Sequence, residues 1–237
     1  GLVIVPVLSG VFASTGLLPQ DPVQFAVGTS LATIVFTSLS SIRAHHRRGA
    51  VRWDIVRRLV PGIVLGTLAG SLLATRLESA TLGKVFGVFE ILIAIHMAVD
   101  RRPSASRALP ATPGMLAAGS GIGAVSALLG IGGGTLTVPF LAWCHVVMRE
   151  AVATASACGL PIALAGATAF MLFAPATANG AAWTTGYIFW PAVIGIALAS
   201  IATAPLGARL AHRLPARSLK RVFSIVLFLL GLRMLLG

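Results

Sequence analysis

The chain has 237 residues, 57% hydrophobic and 10% charged, with a formal net charge of +12. A soluble domain carries roughly a quarter charged residues, so this chain has too little charge to cover a water-facing surface. Apolar runs of about 17 to 25 residues recur, long enough to cross a hydrocarbon core of roughly 30 Å, and they lack the period-two alternation of barrel strands.

The composition predicts an all-α, polytopic transmembrane bundle of about seven or eight hydrophobic segments, helical because lipid offers the backbone no partner. Leu2 to Leu18 comes first and ends at the turn Pro19-Gln20-Asp21-Pro22. Val23 to Ile42 follows and runs into Arg43-Ala44-His45-His46-Arg47-Arg48-Gly49. Ile55 to Thr75 and Leu82 to Val99 complete the first half. Asp100 to Pro113 has the Pro/Ser/Ala/Arg makeup of an exposed linker. Gly114 to Val147 is long and is interrupted at Gly130 to Gly134. Ala151 to Phe173, Thr184 to Leu206 and Leu219 to Leu236 close the chain.

The halves are related. Gly1-Leu2-Val3-Ile4-Val5-Pro6 matches Gly134-Thr135-Leu136-Thr137-Val138-Pro139. Val27-Gly28-Thr29-Ser30 sits where Ala153-Thr154-Ala155-Ser156 sits later, Pro61 parallels Pro191, and Lys84-Val85-Phe86 parallels Arg221-Val222-Phe223. Ordered matches at nearly constant spacing indicate duplication. The expected organisation is a first repeat at 1–100, a cytoplasmic linker at 101–113 and a second repeat at 114–237. The chain begins inside a copy of the glycine motif, so its first repeat is expected to lack its start.

Charge sets the orientation. Basic residues cluster between apolar runs, as the positive-inside rule requires, so no nucleic-acid partner is expected. Arg43 to Arg58 and the linker with Arg101, Arg102 and Arg107 fall on the cytoplasmic side. In the second half the basic loop, Arg209 to Arg221, has moved one helix along, while Ala174 to Ala182 carries no charge. That shift fits an inverted second half in which Gly114 to Val147 enters and returns on one side. The competing arrangement is eight simple spans in parallel halves, which leaves one basic loop outside. Trp53, Trp183 and Trp190 are expected at the membrane interfaces.

The glycine break carries the chemistry. Gly130, Gly132, Gly133 and Gly134 permit positive φ and close approach. The helix that resumes near Thr135 starts with N–H groups that lack intrahelical partners, and its dipole favours an anion. Gly1 to Pro6 offers a similar helix start from the other half. Two such ends converging near mid-membrane form an anion cradle without a buried Arg or Lys, whose desolvation is costly. Broken segments in corresponding positions mark transporter substrate sites. The alternative is that the glycines serve helix packing alone. The candidate substrate-binding residues are Gly1, Pro6, Gly130, Gly132, Gly133, Gly134 and Pro139, with Thr29, Ser30, Thr154 and Ser156 from the next helix of each half. Thr33, Thr37 and Ser38 add hydroxyls to the first of those helices.

The string Leu129-Gly130-Ile131-Gly132-Gly133-Gly134-Thr135-Leu136-Thr137-Val138-Pro139 resembles the signature of the TauE/SafE family of membrane permeases, the sulfite exporter family. Ala26-Val27-Gly28-Thr29-Ser30-Leu31 and His45-His46-Arg47-Arg48-Gly49-Ala50-Val51-Arg52-Trp53 extend the resemblance over nearly the whole chain. It implies transport of sulfite, sulfonates or related organic acids, without fixing the substrate. It also implies a multi-pass protein of the bacterial inner membrane, whose partners are a small anionic solute and the lipid bilayer. Oligomeric state, direction of transport and coupling ion stay open.

Glu90 lies in the middle of Leu82 to Val99, where an ionisable group suggests function such as a proton relay; a neutral Glu bonded to a neighbouring helix is the alternative. His45 and His46, beside Arg43, Arg47 and Arg48, form an anchor or an anion-collecting vestibule. Cys144 and Cys158 lack metal-like spacing, so no metal or cofactor is expected. No zinc motif, phosphate loop or catalytic triad is legible, so an enzyme is not expected. The reading is an anion transporter working by alternating access between two repeats. A passive anion channel and a membrane scaffold without transport are the alternatives.

Overall fold

Backbone in hydrocarbon has to bond to itself, and the apolar runs do so as helices. The computed structural model describes residues 1–18, 20–99, 108–176, 178, 182–213 and 216–236, and at 204–213, 216–217 and 219 the backbone alone. The helices are α1 (Ile4–Thr15), α2 (Pro22–His46), α3 (Trp53–Arg76), α4 (Ser79–Val99), α5 (Thr112–Leu128), α6 (Gly134–Trp143), α7 (Met148–Leu172), α8 (Trp190–Arg213) and α9 (Ala216–Leu236). Among the described residues, α2, α3, α4 and α7 are long and apolar enough to cross a membrane. The molecule is an all-α, multi-pass membrane bundle. Of the linker expected at 101–113, only 108–113 lies among the described residues, and the side chains of the basic loop at 209–221 lie largely outside them.

The long segment Gly114 to Val147 is two helices. With 10 residues in α6 and 12 in α1, each rises only about 15 to 18 Å, about half of a hydrocarbon core. The expected helix Thr184 to Leu206 begins late. Its first residues form a hairpin, β1 (Thr184–Thr185) paired antiparallel to β2 (Ile188–Phe189). Trp183 at φ 65° and Gly186 at φ 55° turn the chain out of helical geometry. A side chain on Gly186 would strike the backbone of Phe170 and Met171. The hairpin is seated in protein, as irregular backbone at membrane depth must be. Tyr187 donates its N–H to the Phe170 carbonyl (3.1 Å) and its hydroxyl to Asp21 (3.0 Å).

Small residues set the closest packing. Gly62, Gly66 and Gly70 of α3 lie against Leu116, Ser120 and Ala124 of α5, and Gly119 and Gly123 of α5 lie against Leu59 and Ile63. The contacts advance together, so α3 and α5 run parallel with their backbones nearly touching, as small-xxx-small interfaces allow. The α2–α7 pair runs antiparallel: Ser38 faces Gly159 at one end, and Gly28 faces Phe170 at the other. The α4–α9 pair is antiparallel too, since Gly83 faces Met234 while Gly231 faces Glu90 and Ile91.

The α2–α3 and α6–α7 connections meet at one end of the bundle. Arg149 donates to the Arg48 carbonyl (3.2 Å), and Arg52 pairs with Glu150 (3.3 Å) and Asp54 (2.9 Å). Asp54 and Glu150 together hold the Arg52 guanidinium above its ordinary range. Trp53 donates to His46 (3.3 Å) at the same end. Because α5 begins at the end where the parallel α3 begins, the α5–α6 hairpin enters and leaves on one side.

Candidate functional site

The break between α5 and α6 is a built turn. Ile131 donates to the Ser126 carbonyl (2.9 Å) and Gly130 to the Ala127 carbonyl (3.3 Å), the bond pair of a Schellman motif. Gly130 holds the left-handed position at φ 61°, and a Cβ there would come within 3.1 Å of Val27 atoms. α6 then starts at Gly134, with its first regular bond from Thr137 N–H to the Gly133 carbonyl (2.9 Å). The N–H groups before Thr137 have no carbonyl within the helix to meet.

Those N–H groups edge a cavity of about 310 Å³. Gly132, Gly133 and Gly134 form one wall, α2 supplies Thr37, Ser38 and Ser41, and α7 supplies Ser156 and Gly159. Gly1 completes it. None of the lining side chains carries a charge. Gly1 has no room for a side chain, because one would run into Gly130 O and the Ile131 Cα. The two glycine segments of the sequence therefore meet. Gly133 is packed: its Cβ would lie 3.1 Å from the Ala155 carbonyl oxygen and the Gly159 nitrogen. Around Gly134 there is open space.

The cavity gathers Gly1, Gly132, Gly133, Gly134 and Ser156 from the expected set. Ser156 bonds back to the Val152 carbonyl (3.0 Å), which leaves its oxygen able to accept. The other hydroxyls lie elsewhere and tie elements together. Ser30 donates to the Gly130 carbonyl (2.8 Å) and so fixes the turn itself. Thr29 accepts the Phe189 N–H (3.1 Å) and seats the hairpin. Thr154 accepts the Arg52 N–H (3.1 Å) and couples the basic loop to α7. Gly130 frames the cavity from behind. Pro139 lies beyond the lining, inside α6, where it removes the bond to the Thr135 carbonyl. Pro6 sits in the first turn of α1, where a proline is tolerated, and it lines a separate cleft.

Glu90 is fully buried on α4 beside Gly231, is not one of the residues that line the cavity, and neither carboxylate oxygen has a hydrogen-bond partner. Ile34, Ser41, Ala155 and Gly159 also line the cavity and were not among the candidate substrate-binding residues. The signal was there: Ile34, Thr37, Ser38 and Ser41 have the i, i+3, i+4, i+7 spacing of one helix face.

The chain is similar to known proteins along nearly its whole length. A probable membrane transporter protein of Haemophilus influenzae is 32% identical over 237 residues, covering 100% of this chain and 90% of the relative. A probable membrane transporter protein of Methanocaldococcus jannaschii is 30% identical over 239 residues, covering 100% and 87%. The probable membrane transporter protein YunE of Bacillus subtilis is 25% identical over 255 residues, covering 99% and 89%. No solved structure matches the chain. The sulfite exporter TauE/SafE family matches residues 1–234. With a broken-helix cavity inside a multi-pass bundle, relatives of nearly equal length and a family match across the fold, the chain belongs to the sulfite exporter TauE/SafE family of membrane proteins.

Proposed function

We propose that this membrane transporter carries a small anion of the sulfite or sulfonate class, bound where α6 begins. The observation that carries the proposal is the uncharged cavity at Gly132–Gly134, faced by hydroxyls of α2 and α7. The unpaired N–H groups and the positive end of α6 attract an oxyanion. The hydroxyls of Ser38 and Ser41 add donors, and those of Thr37 and Ser156 donate to the anion on turning away from the Ile34 and Val152 carbonyls.

Alternating access between two inverted repeats supplies the movement. An in-plane two-fold axis turns each helix into an antiparallel counterpart, and the α2–α7 and α4–α9 pairs support it. The α3–α7 contact has its mirror in the α2–α8 contact. The first repeat then occupies 1–100, the cytoplasmic linker 101–113 and the second repeat 114–237. Glu90 is the candidate for proton coupling, because an unpartnered carboxyl at that depth is kept at a cost. Glu90→Gln is expected to abolish the dependence of uptake on a proton gradient; unchanged uptake and pH dependence would remove Glu90 from the mechanism.

Uptake of radiolabelled sulfite into proteoliposomes tests the central reading. Saturable uptake with counterflow supports a permease, and flux without either supports a passive channel. No movement of sulfite, sulfate, sulfoacetate, taurine or acetate, together with no thermal shift by any of them, favours a scaffold.

A further inference from the structure

We infer that the cleft between α1, α4 and α9 is a second anion site, the vestibule through which the solute meets the path at the end opposite the α2–α3 loop. The inference rests on the transport reading above. The cleft has a volume of about 690 Å³. It is bounded by Pro6, Ser9, Gly10 and Ser14 of α1, and it contains two cations, Lys84 and Arg233.

Among the described residues neither Lys84 nor Arg233 has an anionic partner. Asp21, at the same end, is held by the Tyr187 hydroxyl (3.0 Å), and Glu78 is exposed. Arg233 is exposed, and its guanidinium reaches α1. Gly10 makes this possible: a Cβ there would come within 2.7 Å of the guanidinium carbon. Ser9 donates to the Met234 sulfur (3.3 Å) and fixes α9 to α1 beside that contact. Two exposed cations that share one cleft with neighbouring hydroxyls raise the local concentration of anions.

The cleft and the glycine cavity approach the same stretch of chain from opposite sides. Pro6 lines the cleft and Gly1 lines the cavity. On α2 the cleft touches Pro22 and Val23, whereas the cavity touches Ile34 to Ser41. Eleven residues from Val23 to Ile34 place them about 16 Å apart along the helix. Between them lie buried Val5, Val27 and Leu31. Two solvent spaces that end on a shared barrier from opposite sides are what an alternating path requires.

The test uses Ser14→Cys, whose thiol faces the cleft while the native Cys144 and Cys158 are buried. Its rates with an anionic sulfonatoethyl and a cationic trimethylammonioethyl methanethiosulfonate are each divided by the rate with a free thiol. The expected preference for the anionic reagent is about tenfold. It should fall toward unity in Lys84→Gln/Arg233→Gln and fall partway in Gly10→Val, which displaces Arg233. No preference, or one that survives the double substitution, overturns the inference.

A second arm measures sulfite uptake with the cleft facing the donor. Half-saturation should rise about tenfold in the double variant with the maximal rate retained; an unchanged value overturns the vestibule. If the parent moves no sulfite while the thiol preference holds, the transport reading fails and the anion site stands. Repeating the thiol arm in phosphatidylcholine nanodiscs with and without phosphatidylglycerol identifies the occupant. Loss of the preference only with phosphatidylglycerol makes it a lipid headgroup site and overturns the vestibule.

Discussion

Gly133 separates a binding role from a packing role. Its Cβ would sit 3.1 Å from Ala155 and Gly159 backbone atoms, at the mouth of the N–H array. Gly132 faces only Ile34, at 3.7 Å. Gly133→Leu is therefore expected to abolish the thermal shift produced by the bound anion, while Gly132→Ala preserves it. Equal loss in both would turn the glycines into packing residues. Thr154 gives the complementary case. Thr154→Val removes the acceptor of the Arg52 N–H, so unfolding in detergent should become easier by about 1 kcal/mol. Anion affinity should hold, because Thr154 does not line the cavity. A fall in affinity without a fall in stability would return Thr154 to the site. The hydroxyls show why residue type alone misled. Thr29, Ser30 and Thr154 follow the glycine motif in sequence as Ser156 does, yet only Ser156 faces the cavity. Which side a helical hydroxyl faces depends on what the helix packs against.

At the scale of elements, the α3–α5 pair is the tightest joint. Gly66 abuts the Ser120 backbone, and no side chain fits there. Gly66→Val should lower stability by at least about 2 kcal/mol, the cost of overpacking a filled interface. Gly121 lies on the same helix with nothing within 4 Å of its Cβ, so Gly121→Ala should stay within about 0.5 kcal/mol of the parent. Thermal unfolding of both variants in one detergent checks the contrast. The Gly62, Gly66, Gly70 spacing was legible in the sequence, but its partner was not. Glycine spacing marks a close approach without naming the helix that approaches. The hairpin at 184–189 was hidden for a related reason. Thr184 to Leu206 reads as one apolar run long enough for a span, and Trp183 and Gly186 at positive φ, the latter against Phe170 and Met171, keep the helix from starting there.

At the scale of the whole molecule, the arrangement predicts sidedness. Ser41 lines the glycine cavity near the Arg48–Arg149 contact, whereas Ser14 lines the cleft at the other end of the bundle. In spheroplasts and inverted vesicles, an impermeant maleimide should modify Ser41→Cys and Ser14→Cys from opposite faces. Modification of both from one face would end the inverted arrangement and favour eight simple spans. By the positive-inside rule, the basic residues around the α2–α3 loop predict that the Ser41 face is the one modified from the cytoplasmic side.

The sequence by itself determined that this chain lives in lipid. Low charge, long apolar runs and a hydrocarbon core without hydrogen-bond partners leave helices as the solution. It also determined where one segment must break, because four glycines within five residues, Gly130 to Gly134, cannot hold a helix against hydrocarbon. Tertiary structure alone decided that Gly1 meets Gly130, that α2 and α7 run antiparallel and that Ser156 shares a cavity with Gly133. Hydropathy measures one residue against lipid, and lipid is the same on every side of a helix. The choice of facing neighbour comes from shape, from glycines that admit a backbone and from hydroxyls that find a carbonyl, and those fits exist only once the helices are together.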